Sequence, residues 1–168
     1  MTLRSRVPSG YVGVAVVALL ATVIVGIFIG ATAGSLAAGP TLVVTDGDGE
    51  EIITTPVDED TEIVIEYTHS VEKTLVRDVY VPGDGTLVMT RMEFSSFGAG
   101  LPSQAEVIVR EGRYVYHPPR TEYETLRVMT GTIADHDLIV GDERYDIASL
   151  TDGGPVELTI EQRTRTLL

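Results

Sequence analysis

The chain has 168 residues, room for one domain and a short extra segment, and a formal net charge of −13 at pH 7. All 25 Asp and Glu lie from Asp46 onward, against ten basic residues, so the last 123 residues carry −15. That balance excludes nucleic-acid binding, because phosphates would be repelled, and disfavours lying on an anionic membrane; a sequence without Cys also has no disulfide framework, thiolate metal site, Cys nucleophile or lipobox anchor.

Residues 1–10 contain Arg4 and Arg6 and nothing acidic. Tyr11 to Ile29 reads YVGVAVVALLATVIVGIFI, 19 residues without a charge. As a helix it would span about 29 Å, matching a hydrocarbon core of about 30 Å. It has no polar stripe, so a transmembrane helix over 11–29 is expected, with residues 1–10 cytoplasmic by the positive-inside rule and everything after it outside the cell membrane. A cleaved signal is the alternative, since ATAG (31–34) and LAAG (36–39) are small-residue cleavage sites; the domain would then be secreted. GATAGSLAAGP (30–40) reads as a linker and 41–168 as the extracytoplasmic domain.

In that domain β signals dominate. TLVVT (41–45) and EEIITT (50–55) flank the turn signal DGDG. TEIVIEYTHSV (61–71) alternates. TLVRDVYV (74–81) and TLVMTRMEF (86–94) flank PGDG, and AEVIV (105–109) and RYVYH (113–117) flank REG. EYETLRVM (122–129), HDLIV (136–140), ERYDIASL (143–150) and PVELTIEQ (155–162) complete the series. Many are rich in Val, Ile, Thr and Tyr, and no segment holds helical periodicity over three turns. Short strands at this spacing predict an all-β domain, mainly antiparallel, either a sandwich or a partly open barrel.

The excess of carboxylates with one Lys against eleven Arg resembles the composition of halophilic archaeal proteins. Self-repulsion among so many acids is screened where the Debye length falls to roughly 3 Å, at about 1 M salt.

Alternation over 62–71 places Ile63, Ile65, Tyr67, His69 and Val71 on one face, and Glu62, Val64, Glu66, Thr68 and Ser70 on the other. His69 and Ser70 then point apart, which argues against a Ser–His pair and for a satisfied core or rim histidine. Glu72 and Lys73 form a turn; Lys73 is the only Lys of the chain and is a candidate partner for a carboxylate. FSSFGAGLPSQ (94–104) joins hydroxyls to glycines, a pattern that serves either a tight loop or an anion nest. If 62–71, 74–81 and 86–94 form an up-down-up meander, both stretches reach one end of the sheet. The candidate ligand-binding rim is therefore His69, Ser70, Glu72, Lys73, Glu93, Ser95, Ser96, Gly98 and Gly100. His69, Glu72 and Glu93 are mixed metal-ligand types, but no pair has a recognised metal spacing, so no metal site, cofactor or catalytic residue is assigned.

YTHSVEKT (67–74), FSSFGAGLP (94–102) and LTDGGPVELTI (150–160) together resemble an uncharacterised family, the domain of unknown function numbered eighteen-fifty. The resemblance runs from about Thr41 to Glu161. It implies a small membrane or exported protein encoded beside TRAP-type transporters of the TAXI class, which take up organic acids through an extracytoplasmic binding protein. The expectation is a non-catalytic accessory or binding module, its partners being the transporter's membrane subunits or their solute-binding protein. The competing readings are a structural cell-surface module without a small ligand and an extracytoplasmic hydrolase using His69.

Overall fold

The computed structural model describes residues 36–97 and 106–166. The chain divides into two compact units, residues 1–37 with 166–168 and Ala38–Arg165, and the second is the subject below. The apolar segment 11–29, Gly98 and Gly100 lie outside the described residues. Among the described residues no helix is long and apolar enough to cross a membrane.

The domain is all-β. Its elements are β1 (Leu36–Asp46), β2 (Glu51–Pro56), β3 (Ile63–Thr68), β4 (Leu75–Pro82), β5 (Leu87–Phe94), β6 (Val107–Arg110), β7 (Arg113–Tyr116), β8 (Thr121–Tyr123), β9 (Leu126–Met129), β10 (Asp137–Val140), β11 (Glu143–Asp146), the single helical turn α1 (Ile147–Leu150) and β12 (Pro155–Thr166). Four strands form one sheet in the order β2-β1-β12-β9. The larger sheet runs β11-β10-β3-β4-β5-β7-β6, with β8 also on β5. The two sheets share one core, in which Leu42, Val44, Val156, Leu158 and Ile160 pack with Ile63, Ile65, Tyr80, Leu87 and Leu138. That settles the architecture as a sandwich rather than a barrel.

The three turn signals close the hairpins β1–β2, β4–β5 and β6–β7. Gly49 and Gly85 end the first two turns at φ +83° and +68°, a region open to glycine and costly to other residues. The meander β3-β4-β5 is present and antiparallel.

Three expectations needed correction. Strand β1 starts at Leu36, inside the segment read as a linker, because backbone pairing onto a sheet needs no side-chain pattern. The run 122–129 is two strands: β8 pairs with β5 in the large sheet, and after Glu124 and Thr125 β9 joins β12 in the small one. The run 143–150 ends as α1, because Asp146 caps it. The Asp146 carboxylate accepts from the Ser149 backbone N–H at 2.8 Å and from the Ser149 hydroxyl at 2.6 Å.

Beyond the shared core the large sheet extends into a second, smaller cluster. Val76 and Phe94 are fully buried there, with Tyr67, Met92, Val107, Tyr114 and Tyr116 around them. Phe97 lies tilted against Tyr114 at 4.4 Å and meets Phe94 edge-on at 5.2 Å.

Candidate functional site

The predicted rim is assembled in part. Strand β3 stops at Thr68, and residues 69–74 make a tight corner. His69 is buried, and its Nδ1 accepts from the backbone N–H groups of Glu72 (3.1 Å) and Val71 (3.3 Å). An imidazole used as a turn cap fits the satisfied-histidine reading. The His69 N–H donates to the Thr74 carbonyl, and the Lys73 N–H to the His69 carbonyl, both at 2.9 Å. Lys73 takes the left-handed conformation at φ 54°; it is exposed, and no carboxylate pairs with it among the described residues.

The end of β5 meets this corner. The Thr74 and Ser96 hydroxyls lie 3.1 Å apart, and the Ser96 hydroxyl reaches the Glu72 carboxylate at 3.5 Å. Ser70 and Ser95 are exposed. Glu72 and Ser96 are thus brought together and His69 braces the same corner. Glu93 is not part of it: its register with Arg77 and Val115 puts it on the outer face of the sheet. His69, Glu72 and Glu93 therefore do not converge as metal ligands.

Glu93 belongs instead to a ladder of charges across the outer face. Arg144 on β11 meets Asp137 on β10 and Glu66 on β3, the latter at 2.9 Å. The other Glu66 oxygen lies 3.2 Å from Arg77 Nε on β4, an ion pair whose line misses hydrogen-bond geometry. Arg77 meets Glu93 at 3.3 Å, and Glu93 meets Arg91 at 2.7 Å and Arg113 of β7 at 3.4 Å. Arg91 also grips Glu62 with both terminal nitrogens, at 2.7 and 3.0 Å. This fork geometry is the one guanidinium makes best with carboxylates.

The electrostatics follow from the pairing. Burial pushes the Glu93 carboxyl up, but the hydrogen bond from Arg91 and the charges of Arg91, Arg77 and Arg113 outweigh it and hold it below its ordinary value. The Arg91 hydrogen bond likewise holds Glu62 down. At its β6–β7 end the ladder opens into a groove of about 840 Å³, lined by Glu62, Arg77, Arg91, Glu93, Arg110, Glu111, Arg113, Val115 and His117. Four arginines against three glutamates make it a positive site on a domain where acids outnumber bases by more than two to one. Arg110 and Arg113 stand directly opposite each other across the hairpin, a like-charge placement that costs stability unless something negative sits between them. Arg113 has only the 3.4 Å contact to Glu93, and Arg110 has no ion pair among the described residues.

The inner face holds a second unusual group. Asp78 lies between Ile65 and Met92 in register, among core residues. Its Oδ1 is buried without a hydrogen-bond partner among the described residues, and burial pushes its carboxyl up to about 6. Burial and then the Asp78 charge push the Tyr67 hydroxyl up to about 12. Tyr67 stacks on His136 at 5.0 Å; burial lowers the His136 imidazole against the opposing charge of Asp135, and among the described residues its Nδ1 also has no hydrogen-bond partner.

Sequence reading missed the groove. Its signal was present: Glu62 and Glu66, Arg77, then Arg91 and Glu93 alternate onto one face of a predicted meander. Only the pairing register shows that they meet and that the β6–β7 hairpin adds two more arginines.

The family model described as Domain of unknown function (DUF1850) matches residues 63–147. The match covers YTHSVEKT, FSSFGAGLP and every arginine of the ladder, but stops short of LTDGGPVELTI and of Glu62, so it is narrower than the span expected from sequence. No curated protein and no solved structure matches the chain.

Proposed function

The chain belongs to the DUF1850 family, a domain of unknown function, and we propose that this member is a non-catalytic module that binds a small organic anion in the outer-face groove and serves organic-acid uptake by a TRAP-type transporter. The observation that carries this reading is the arginine groove itself. A strongly acidic domain repels anions in general, so a site for one must concentrate positive charge locally. Arg77, Arg91, Arg110 and Arg113 do so on rigid strands, and planar guanidinium groups suit carboxylates better than a Lys would. Arg110 and Arg113 are the donors least engaged by the protein's own carboxylates.

In this reading the corner of His69, Glu72, Thr74 and Ser96 is a structural brace, since its polar groups already serve one another. Membrane anchoring through residues 11–29, and contact with transporter membrane subunits or their solute-binding protein, belong to the same proposal.

The test is a thermal-shift screen of the full-length protein against mono-, di- and tricarboxylates at constant ionic strength. A ligand at about 100 times its Kd contributes about 2.7 kcal/mol and raises the midpoint measurably. The reading predicts a carboxylate-dependent rise that Arg113→Gln abolishes. A panel in which no carboxylate moves the midpoint more than chloride does overturns it.

A further inference from the structure

Strand β6 is the outer edge of the large sheet among the described residues, and it is unusually bare. Proteins blunt edge strands with charges, Pro or bulges to prevent strand addition. The edges at β11 and β2 follow that rule: at the opposite end β11 reads ERYD, and in the small sheet β2 begins with Glu51 and ends with Pro56. Strand β6 instead offers Val107, Ile108 and Val109 in succession, with Ile108 50% and Val109 64% exposed.

The flanking residues say what fits there. The segment reads Glu106-Val107-Ile108-Val109-Arg110. Turned antiparallel against a second copy about a twofold axis through Ile108, it is self-complementary: Ile108 meets Ile108, Val107 meets Val109, and Glu106 meets Arg110 twice. All five apolar and charged matches are favourable cross-strand pairs, and a one-residue slip would turn every side chain to the wrong face. Register with β7 places Ile108 and Arg110 on the outer face, opposite Val115 and Arg113, and alternation puts Glu106 beside them. Each Arg110, unpaired among the described residues of its own chain, would gain a carboxylate. A guanidinium has five N–H donors, so this pairing leaves donors for the groove, and the proposal stands whether or not an anion binds there.

We propose that two copies of this chain associate edge to edge through β6, joining their large sheets into one continuous sheet. A single short strand pair is a small contact beside the ~1,200–2,000 Å² of standard interfaces, so the dimer is weak and concentration-dependent.

The chain contains no Cys, so one introduced thiol reports without background. Full-length Ile108→Cys should cross-link to itself with a short bismaleimide in dilute solution. Ile133→Cys, at an exposed turn position outside every strand, serves as the control and should not. In sedimentation of the protein without added ligand, Glu106→Arg sets Arg against Arg twice and should weaken the dimer about tenfold or more. The double variant Glu106→Arg, Arg110→Glu restores opposite charges and should recover it. A wild-type chain that is monomeric throughout a wide concentration series, Ile108→Cys cross-linking no better than Ile133→Cys, or a dimer indifferent to Glu106→Arg would each overturn the proposal.

Discussion

The two faces of the large sheet carry their ionisable groups in opposite ways. Outside, four arginines and four acids are joined hand to hand, each ion paired and partly hydrated. Inside, Asp78 sits among apolar neighbours with an oxygen that no described residue partners. The difference teaches where this domain spends stability. Paired charges at the surface cost little and are weakened by salt; a lone buried carboxylate is costly at every salt concentration, because desolvation is not screened.

Several substitutions would break or sharpen that contrast. The largest effect is expected from the apolar inner face: Phe94→Ala empties the smaller cluster and should destabilise by about 3–5 kcal/mol in chemical denaturation. Next comes Asp78→Asn, with the opposite sign. The folded carboxyl titrates near 6 and the unfolded one at its ordinary 3.8, so the folded state prefers the proton. The native residue therefore lowers stability as pH rises from about 4 to about 6, by up to about 3 kcal/mol. The Asn variant should gain up to that amount at pH 8, gain nothing at pH 4, and flatten this part of the profile. An Asn variant no more stable than wild type at pH 8 would mean that Asp78 has an unseen partner.

On the outer face, Glu93→Gln removes the hub that three arginines share. It should cost about 2 kcal/mol, less at molar salt, and its pH signature runs the other way from Asp78. The Glu93 carboxyl lies below its ordinary 4.5 when folded, so its contribution is complete above that pH and is lost as pH falls through the folded value. The smallest effect is expected at the corner. Lys73 is exposed and unpaired among the described residues, so Lys73→Gln should stay within about 0.5 kcal/mol. A larger loss would show that the single Lys of the chain has a partner after all.

Much of the fold was legible because local rules determined it. DGDG, PGDG and REG sit between alternating runs, and each closes the hairpin it announces. What escaped were decisions made by tertiary context. Nothing in EYETLRVM marks the point at which the chain leaves one sheet for the other, and an aspartate cap converted the end of ERYDIASL into a helical turn. The site divided in the same way. Facing of side chains along β3 followed from alternation, and the reach of Ser96 to Glu72 followed from the meander. Glu93 was grouped with His69 because the two lie near the same strand ends; the pleat sends it to the other face, where long-range register makes it the centre of the arginine ladder.

The central claim is that the groove beside β6 and β7 holds a carboxylate, and calorimetric titration tests it most directly. A dicarboxylate added to the full-length protein at fixed ionic strength should bind saturably. The double variant Arg110→Gln, Arg113→Gln should weaken that binding about a hundredfold, taking each lost charged contact as about 1.4 kcal/mol. Equal binding by both proteins, or none by the wild type, would contradict the account.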